Sequence, residues 1–361
     1  MRVAIIGAGN GGAAAAVELT LAGHDVSLHG RSDDTVAPFR ADGIGYQGVF
    51  GEGRITPALI TTKLEDAIAD ADAAVVALPT FALGSVARTL NAAGWNVSKP
   101  VILNPGHTGG AFEFETAYHA VNTSVPPIAE FATLAYVARK PAPDIVNVTG
   151  RAKALRAAAL RGGEAAMQAA LALFPGSYDC GDVVASDLCN VNMIVHPPGA
   201  MLGASWAEAT GGDFTFYVEG LTDGVVRVME TLDRERIAVG RAFGHELPTI
   251  IEEMKAIGTV PANADSNDYR AIAAGEANKR IRAPDSLRHR YYTEDFSHGL
   301  VPFLVFAAMA GVETPTAKAL ADLHSTMVRG LERPGPRDAA AMGLENMTME
   351  TLKDRIGAPG K

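Results

Sequence analysis

The sequence predicts an α/β protein in which an N-terminal Rossmann domain, built on a parallel sheet, precedes an all-helical C-terminal domain. Two patterns support this prediction. Through the first half of the chain, short apolar runs typical of buried parallel strands alternate with helical segments. From about Ser186 the strand patterns stop, and apolar residues keep a helical spacing. A chain of 361 residues also exceeds the usual size of a single core, so we expect two domains, 1–183 and 184–361.

The first domain is predicted to contain short strands joined by helices. Ala13–Leu21 has the composition of a helix and is followed by Gly23, a residue type that commonly ends helices. Strands interleaved with helices in this way form a parallel sheet that is covered on both faces. The predicted strands are Val3–Ile6, Val26–His29, Ala73–Leu78, Val101–Leu103, Ile128–Glu130 and two runs that flank Lys140–Pro143.

The second domain is predicted from helical periodicity. Apolar residues recur at helical spacing from Leu221 to Phe243, over more than twenty residues. Further helices are expected at Ile250–Ile257, Leu300–Ala310 and Thr316–Leu331. The pattern after Pro334 is too weak to predict an element.

Composition argues against several classes of partner and location. The chain carries 41 acidic and 31 basic side chains, a formal charge of −10, so neither nucleic acid nor an anionic membrane surface is an expected partner. Cys180 and Cys189 lack zinc spacing and cannot form a disulfide framework, which favours a reducing compartment and no bound metal. The N-terminal apolar run is too short for a signal peptide, and Val301–Val312 is too short to span a bilayer. We therefore expect a cytoplasmic protein.

A glycine-rich loop follows the first predicted strand. Gly7, Gly9 and Gly12 match the GxGxxG pattern, whose glycines permit a tight turn, close approach of the backbone to a pyrophosphate and close packing of the following helix. The position between a strand and an alanine-rich helix is the context that this motif requires. We expect the loop, including Asn10 and Gly11, to bind a dinucleotide at the helix N-terminus. A glycine-rich turn without a ligand is the alternative.

The residues after the second strand bear on the choice of dinucleotide. NAD sites usually have Asp or Glu there to bind the ribose 2′-hydroxyl, but this chain has Arg31 and Ser32. Both can bind a 2′-phosphate, Arg31 by its charge and Ser32 by a hydrogen bond, which favours NADP(H). The alternative is that Arg31 only stacks on the adenine and NAD(H) also binds. Asp33 and Asp34 lie just beyond and leave both cofactors open.

His196 is the first candidate for proton transfer, which a dehydrogenase needs because hydride transfer leaves charge on the substrate heteroatom. It lies in the segment Asn192–Pro198, where Pro197 and Pro198 are expected to end a helix and leave His196 extended. Such a helix end could hold the imidazole in a cleft. The alternative is a capping or buried structural histidine.

The segment Arg288–Phe296 concentrates charged and aromatic residues just before an apolar helix. Arg290 has the planar fork suited to a substrate carboxylate, and Asp295 could orient an imidazole by a hydrogen bond. The alternatives are a surface salt bridge for Arg290 and a helix cap for Asp295. The spacing in the sequence does not by itself place His196 beside Asp295.

Several motifs together resemble one enzyme family. The chain resembles the octopine/nopaline (opine) dehydrogenase family over nearly its whole length, and especially the bacterial enzymes that join a 2-oxo acid to an amino acid. Agreement of two C-terminal motifs with one family is more specific than a glycine loop. The motifs are GAGNGG at 7–12, NPGHTGG at 104–110, IAEFATLAY at 128–136, NVNMIVHPPGAML at 190–202, NDYRAI at 267–272 and RYYTEDFSHGLVP at 290–302.

The resemblance implies a reaction that joins the amine of an L-amino acid to a 2-oxo acid, with pyruvate favoured, using NAD(P)H. By resemblance, His196 is the catalytic histidine and Asp295 is its partner. Arg290 corresponds to the arginine that binds the oxo-acid carboxylate, and Thr133 to a threonine of the oxo-acid pocket. Two features depart from the family: residues 133–135 read TLA instead of TLP, and the acid found after the second strand in many members is absent. The second departure again puts an NAD preference in doubt.

Two other functions stay open from the sequence. A ketopantoate- or glycerol-3-phosphate-type reductase belongs to the same broad class but relies on a lysine of the helical domain, and neither Lys255 nor Lys279 lies in a convincing motif. A non-catalytic NADP(H)-sensing protein would bind the dinucleotide without turnover. Small helical C-terminal domains of this class often pair, so a homodimer is a further expectation that no residue pattern establishes.

Overall fold

The computed structural model of the chain describes residues 1–276, 278–331 and 334–356. These residues form two compact units: 1–106, 110–183 and the chain from Arg355 in the first, and 107–109 with 184–354 in the second. The first unit has a Rossmann-like α/β fold and the second is helical, which confirms the predicted fold class. The predicted end of the second domain, 357–361, lies outside the described residues.

The first unit contains short strands and helices that alternate along much of the chain. The strands are β1 (Arg2–Ile6), β2 (Asp25–His29), β3 (Ile44–Gly48), β4 (Gly53–Ile55), β5 (Leu59–Thr61), β6 (Ala73–Val76), β7 (Val101–Leu103), β8 (Ile128–Phe131), β9 (Tyr136–Ala142), β10 (Ile145–Arg151), β11 (Leu155–Ala159) and β12 (Ser177–Asp179). The helices are α1 (Asn10–Leu21), α2 (Asp33–Asp42), α3 (Leu64–Ile68), α4 (Leu83–Ala92), α5 (Gly110–His119) and α6 (Glu164–Leu173).

The main sheet reverses its strand order at β1. The order is β12-β11-β8-β7-β6-β1-β2-β5, and neighbours pair in parallel except β8 with β11. Val3–Ile6 in β1 and all of β6 are buried, as expected for central strands covered by helices on both faces. Doubly wound sheets bind ligands outside the carboxyl ends of the strands at such a reversal. The glycine loop begins at this end of β1.

Two of the predicted strands lie in a second sheet instead of the main one. The runs that flank Lys140–Pro143 form β9 and β10, which pair antiparallel in a four-stranded sheet of order β4-β3-β10-β9. Strands β3, β4 and β5 were not predicted, because they are short or glycine-containing and have no continuous apolar run. The Tyr136 hydroxyl joins this sheet to α1 by donating to Glu18 at 2.6 Å.

Helices make up the second unit. The predicted helices from Leu221, at Ile250–Ile257 and from Leu300 are confirmed, and the one from Thr316 ends before the predicted Leu331. The helices are α7 (Val183–Asp187, at the boundary between the units), α8 (Val191–Leu202), α9 (Ala204–Thr210), α10 (Asp223–Phe243), α11 (Ile250–Ile257), α12 (Arg290–Thr293), α13 (Val301–Ala310), α14 (Pro315–Met327) and α15 (Met349–Ile356, at the end of the described chain).

A fully buried ion pair joins α10 to its neighbours. The Arg236 guanidinium donates to Asp233 Oδ1 at 2.6 Å and to the Leu188 carbonyl at 3.0 Å. Asp233 Oδ2 accepts from the Ile250 N–H, at the start of α11, and from the Tyr269 hydroxyl. Tyr269 belongs to the NDYRAI motif, so part of that motif holds the helices together.

Candidate active site

The glycine loop between β1 and α1 has the steric properties of a pyrophosphate cradle. Gly7 has φ +119°, and a Cβ there would lie 2.4 Å from the Ala77 carbonyl oxygen; a Cβ at Gly12 would lie 1.7 Å from the Gly7 oxygen. Neither position admits a side chain. Gly9 is exposed and precedes α1 without a side-chain cap, so the first turn of α1 keeps backbone N–H groups suited to an anion.

Asn10 and Gly11 have contacts within the first unit. Asn10 Oδ1 accepts a hydrogen bond from the Lys140 N–H at 3.1 Å. A Cβ on Gly11 would lie 2.9 Å from Leu134 Cδ1. Both residues therefore hold the loop against the chain around β9, and their contact with a dinucleotide stays a prediction.

Arg31 and Ser32 lie directly after β2, and both are exposed. Ser32 Oγ is 2.8 Å from Thr35 Oγ1 at the start of α2, and Asp33 pairs with Arg40. A guanidinium and a hydroxyl are thus exposed at a helix N-terminus while a nearby acid is paired with a cation. These groups suit a phosphate.

His196 and Asp295 meet in the second unit. His196 Nδ1 and Asp295 Oδ2 are 2.7 Å apart, and both side chains are almost fully buried. An ionised carboxylate only accepts hydrogen bonds, so Nδ1 donates and the neutral ring keeps Nε2 as its acceptor. A carboxylate placed in this way orients a histidine for general acid–base work.

His196 lies inside α8, so the prediction that it follows a helix end in an extended conformation is wrong. Pro197 and Pro198 continue the helix, which runs to Leu202. Proline removes backbone hydrogen bonds and disfavours a helical residue before it. Every residue from Met193 to Met201 is buried, however, so packing of the helix outweighs these local preferences.

A π-helical turn, Phe296–Leu300, follows Asp295 and leads into α13. The Asp295 side chain makes no cap hydrogen bond, so its contact is with His196 and not with the helix end. Gly299 of this turn comes close to α8, since an added Cβ would lie 3.4 Å from Met193 Cβ. Inserted π-turns of this kind occur often at functional sites.

Aromatic side chains that were not predicted from the sequence enclose His196. The Tyr217 hydroxyl oxygen is 2.8 Å from His196 Nε2. The Tyr291 ring stacks on the imidazole with centroids 3.8 Å apart, and Phe216 approaches edge-on at 6.0 Å. Burial, with a smaller contribution from Tyr291, raises the pKa of Tyr217 well above its ordinary value. Tyr291 stands in a motif, but no spacing relates the segment 213–217 to His196.

Arg290 forms a salt bridge, and part of its guanidinium is still available to a ligand. Its Nε atom is 3.3 Å from Glu294 Oε2, so the salt-bridge alternative is present in the structure. Burial lowers the pKa of Arg290, but the carboxylates of Asp295 and Glu294 raise it by more, and the guanidinium stays charged. Among the described residues its two terminal nitrogens have no partner, and the side chain is 49% exposed. A cation with a free fork therefore lies in the field of Asp295.

Residues 107–109 of the NPGHTGG motif belong to the second unit. Thr108 Oγ1 accepts from Asn190 Nδ2 at 3.1 Å, and the Thr108 carbonyl accepts from Arg337 at 2.7 Å. Asn190 in turn caps α8. His107 is buried with φ +58°, and burial lowers its pKa to about 3. This part of the motif braces the helix that carries His196.

Thr133 is half-buried in the connection between β8 and β9 of the first unit. His196, Arg290 and Asp295 lie in the second unit, where the structure brings them together. The role of Thr133 stays a prediction.

The described part of the chain holds no group of His, Cys, Asp and Glu side chains able to bind a metal ion. Within the same residues, no helix is both long and apolar enough to cross a membrane. Cys180 and Cys189 are free thiols.

A Rossmann sheet with a glycine cradle, and a helical unit with a carboxylate-oriented histidine, together define an NAD(P)-dependent oxidoreductase. Residues 179–328 match the family model described as NAD/NADP octopine/nopaline dehydrogenase, alpha-helical domain. Residues 2–110 match the NAD-dependent glycerol-3-phosphate dehydrogenase N-terminus. The opine dehydrogenase of Arthrobacter sp. (strain 1C) is 30% identical over 357 residues, 98% of each chain. The chain belongs to the opine dehydrogenase family.

Solved structures of octopine dehydrogenase share this fold. The complex with NADH and L-arginine has a TM-score of 0.77 at 19% identity and covers 100% of this chain and 99% of that one. The complex with NADH and pyruvate has a TM-score of 0.73 at 20% identity, with 98% and 97% covered. Membership of the family does not favour a ketopantoate- or glycerol-3-phosphate-type reductase or a non-catalytic sensor.

Proposed function

We propose that the protein condenses the amine of an L-amino acid with a 2-oxo acid, pyruvate being favoured, to an N-(carboxyalkyl)amino acid, and catalyses the reverse oxidation. The opine dehydrogenase relative and the octopine dehydrogenase complexes with L-arginine and with pyruvate support this. In this chain, the observation that carries the proposal is the 2.7 Å contact between His196 Nδ1 and Asp295 Oδ2.

The condensation requires a group that gives and takes protons. The amine adds to the keto carbon to form a carbinolamine, and loss of water after protonation of its oxygen leaves a protonated imine. When bound, the reduced dinucleotide supplies the hydride that converts the imine to a secondary amine. His196 gives a proton to the departing oxygen and recovers one in the reverse direction. Asp295 accepts from Nδ1–H throughout and stabilises the imidazolium.

Arg290 binds the carboxylate of the oxo acid with its two terminal nitrogens, which match the two carboxylate oxygens in spacing. The keto carbon is then held in one orientation, and such positioning supplies much of the rate. We assign Thr133 to the oxo-acid pocket on the strength of the family resemblance.

We propose NADP(H) as the preferred cofactor, with NAD(H) as the alternative. The glycine loop would bind the pyrophosphate, and Arg31 and Ser32 would bind the 2′-phosphate. The support is the exposure of both side chains after β2 and the pairing of Asp33 with Arg40. Comparison of KM for NADPH and NADH with the same substrates decides between the cofactors.

The direct test is oxidation of NADPH and NADH with pyruvate against a panel of L-amino acids. We expect turnover that depends on both the amine and the oxo acid. His196→Ala should abolish turnover and leave NADPH binding intact, because His196 lies in the second unit and the glycine loop in the first. Wild-type turnover in His196→Ala, or oxidation of NADPH by pyruvate without any amine requirement, would contradict the proposal.

We also propose that residues 1–183 are the dinucleotide-binding domain and 184–361 the substrate and catalytic domain, acting in the cytoplasm as a homodimer. The compact units support the first statement, and the two free thiols support a reducing compartment. Sedimentation equilibrium measures the molar mass in solution and so tests the proposed homodimer.

A further inference from the structure

The Nε2 atom of His196 already has a partner in this structure. Tyr217 places its hydroxyl oxygen 2.8 Å from Nε2, on the side of the ring opposite the Asp295 contact. Nε2 is the nitrogen that the proposed function requires for proton exchange with the substrate. The substrate oxygen must therefore either displace this hydroxyl or act through it.

The hydrogen-bond directions form a continuous chain. Because Asp295 accepts from Nδ1–H, the neutral imidazole accepts at Nε2 from the Tyr217 hydroxyl. Tyr291, whose ring stacks on the imidazole, also raises the pKa of Tyr217 after the larger effect of burial. If the ring is protonated, Nε2–H donates to the Tyr217 oxygen, and the Tyr217 proton becomes available to another acceptor. Asp295, His196 and Tyr217 therefore stay hydrogen-bonded in both protonation states of His196. Only the donor and the acceptor of the contact between Nε2 and the Tyr217 hydroxyl exchange roles.

The segment around Tyr217 is fixed in place by several contacts. Phe216, its neighbour, donates its backbone N–H to the Ile281 carbonyl at 2.9 Å. The Phe216 ring packs on α8 at Gly199, where an added Cβ would lie only 2.7 Å from the ring. Thr215 donates its backbone N–H and its hydroxyl to Glu219 at 2.6 and 2.7 Å. A hydroxyl on a segment anchored in this way is better suited to transmit protons than to move out of the site.

We propose that Tyr217 is a catalytic residue that contacts the departing substrate oxygen and relays protons between it and His196 Nε2. This inference rests on the proposed function. In the condensation, Nε2–H passes its proton to the Tyr217 oxygen while the Tyr217 hydroxyl proton passes to the carbinolamine oxygen. The C–O bond breaks, water leaves with the bonding electrons, and the nitrogen lone pair forms the C=N bond of a protonated imine, which now carries the positive charge. Tyr217 ends as it began, a neutral phenol, and His196 ends neutral until solvent reprotonates it.

The test compares Tyr217→Phe with Tyr292→Phe. Tyr292 is the matched control because it is also a buried tyrosine, and its hydroxyl donates to the Ala200 carbonyl at 2.7 Å and does not contact His196. Removal of the relay should lower kcat by about 100-fold, with KM for pyruvate little changed. The dependence of kcat on the fraction of D₂O should be curved in the wild type, where two protons move, and linear in Tyr217→Phe. Tyr292→Phe should keep the wild-type kcat and the curved dependence.

A second measurement detects the contact between the Tyr217 hydroxyl and His196 Nε2 without any need for turnover. In ¹⁵N NMR of the imidazole, Tyr217→Phe should shift the His196 Nε2 resonance toward that of a free acceptor, and Tyr292→Phe should not. An unshifted resonance, or a Tyr217→Phe enzyme with wild-type kcat, overturns the relay while the proposed function stands. Absence of amine-dependent turnover in the wild type overturns the proposed function, and with it the relay. Circular dichroism melting of each variant confirms that loss of rate is not loss of fold.

Discussion

The second unit contains buried histidines in two different electrostatic settings. His196 has a carboxylate partner on Nδ1. His107 and His298 are buried, and the cationic Arg337 adds to the effect of burial, so that their pKa values fall to about 3 and about 2. A carboxylate partner on one ring nitrogen suits a histidine that exchanges protons with a substrate, because it fixes the orientation of the ring. The other two histidines stay neutral in the folded protein.

Because His107 titrates near 6.5 when unfolded and near 3 when folded, it makes stability depend on pH. The unfolded chain binds the extra proton below pH 6.5, so stability is full above that pH and falls as the pH drops toward 3. Between about pH 7.5 and pH 5 this one group costs about 2 kcal/mol of unfolding free energy. His107→Asn removes the titration and suits the φ of +58°, since Asn adopts left-handed backbone readily.

Urea unfolding at the two pH values measures this effect. We expect the wild type to lose more stability than His107→Asn by about 2 kcal/mol. Equal losses in the two proteins would show that His107 does not titrate in this window.

At the scale of elements, the position of the His196 side chain depends on the residues that pack against α8. The helix holds His196 over Phe216 at Gly199 and over the π-helical turn at Met193. Gly199→Ala should push the Phe216 ring away, because the new Cβ would lie 2.7 Å from it. Tyr217 would move with its neighbour, so we expect kcat to fall roughly 10- to 100-fold and stability to fall by about 1–3 kcal/mol.

Gly224→Ala is the matched control for this substitution. Gly224 lies in the first turn of α10, and the nearest atom to an added Cβ, on Arg227, is 3.9 Å away. Alanine should leave kcat unchanged and raise stability by up to about 1 kcal/mol. Steady-state kinetics and thermal melting of both variants check the pair; an unimpaired Gly199→Ala enzyme would mean that the aromatic segment can shift without loss of function.

Elements with a strong local signal could be predicted from the sequence, and those fixed by distant contacts could not. The central strands of the main sheet are continuous apolar runs because both of their faces are buried. In the second sheet, β3 and β4 have no such signal. The prolines after His196 gave a wrong local expectation. The segment 213–217 meets His196 only through the tertiary fold, so no spacing could have indicated Tyr217. The contact of His196 with Asp295 spans 99 residues, and only the family resemblance suggested it.

At the scale of the whole molecule, the second unit encloses the fully buried ion pair of Arg236 and Asp233. Arg236→Met should destabilise the protein by about 3–5 kcal/mol, because it leaves the Asp233 carboxylate buried without its cation. Arg234→Met is the control, since Arg234 pairs with Glu230 on an exposed face of α10 and should cost less than about 1 kcal/mol. Denaturant unfolding measures both, and similar losses would contradict a structural role for the buried pair.

The short segment 107–109 has a consequence for how the polypeptide can be divided. The chain passes from one compact unit to the other after residues 106, 109, 183 and 354, so no single cut separates the two. A gene fragment encoding residues 184–361 would lack Thr108, leaving Asn190 and the buried Arg337 without one of their acceptors. We therefore expect that fragment to be poorly folded when expressed alone, and grafting the tripeptide His107–Gly109 onto it would be the first step in making it independent.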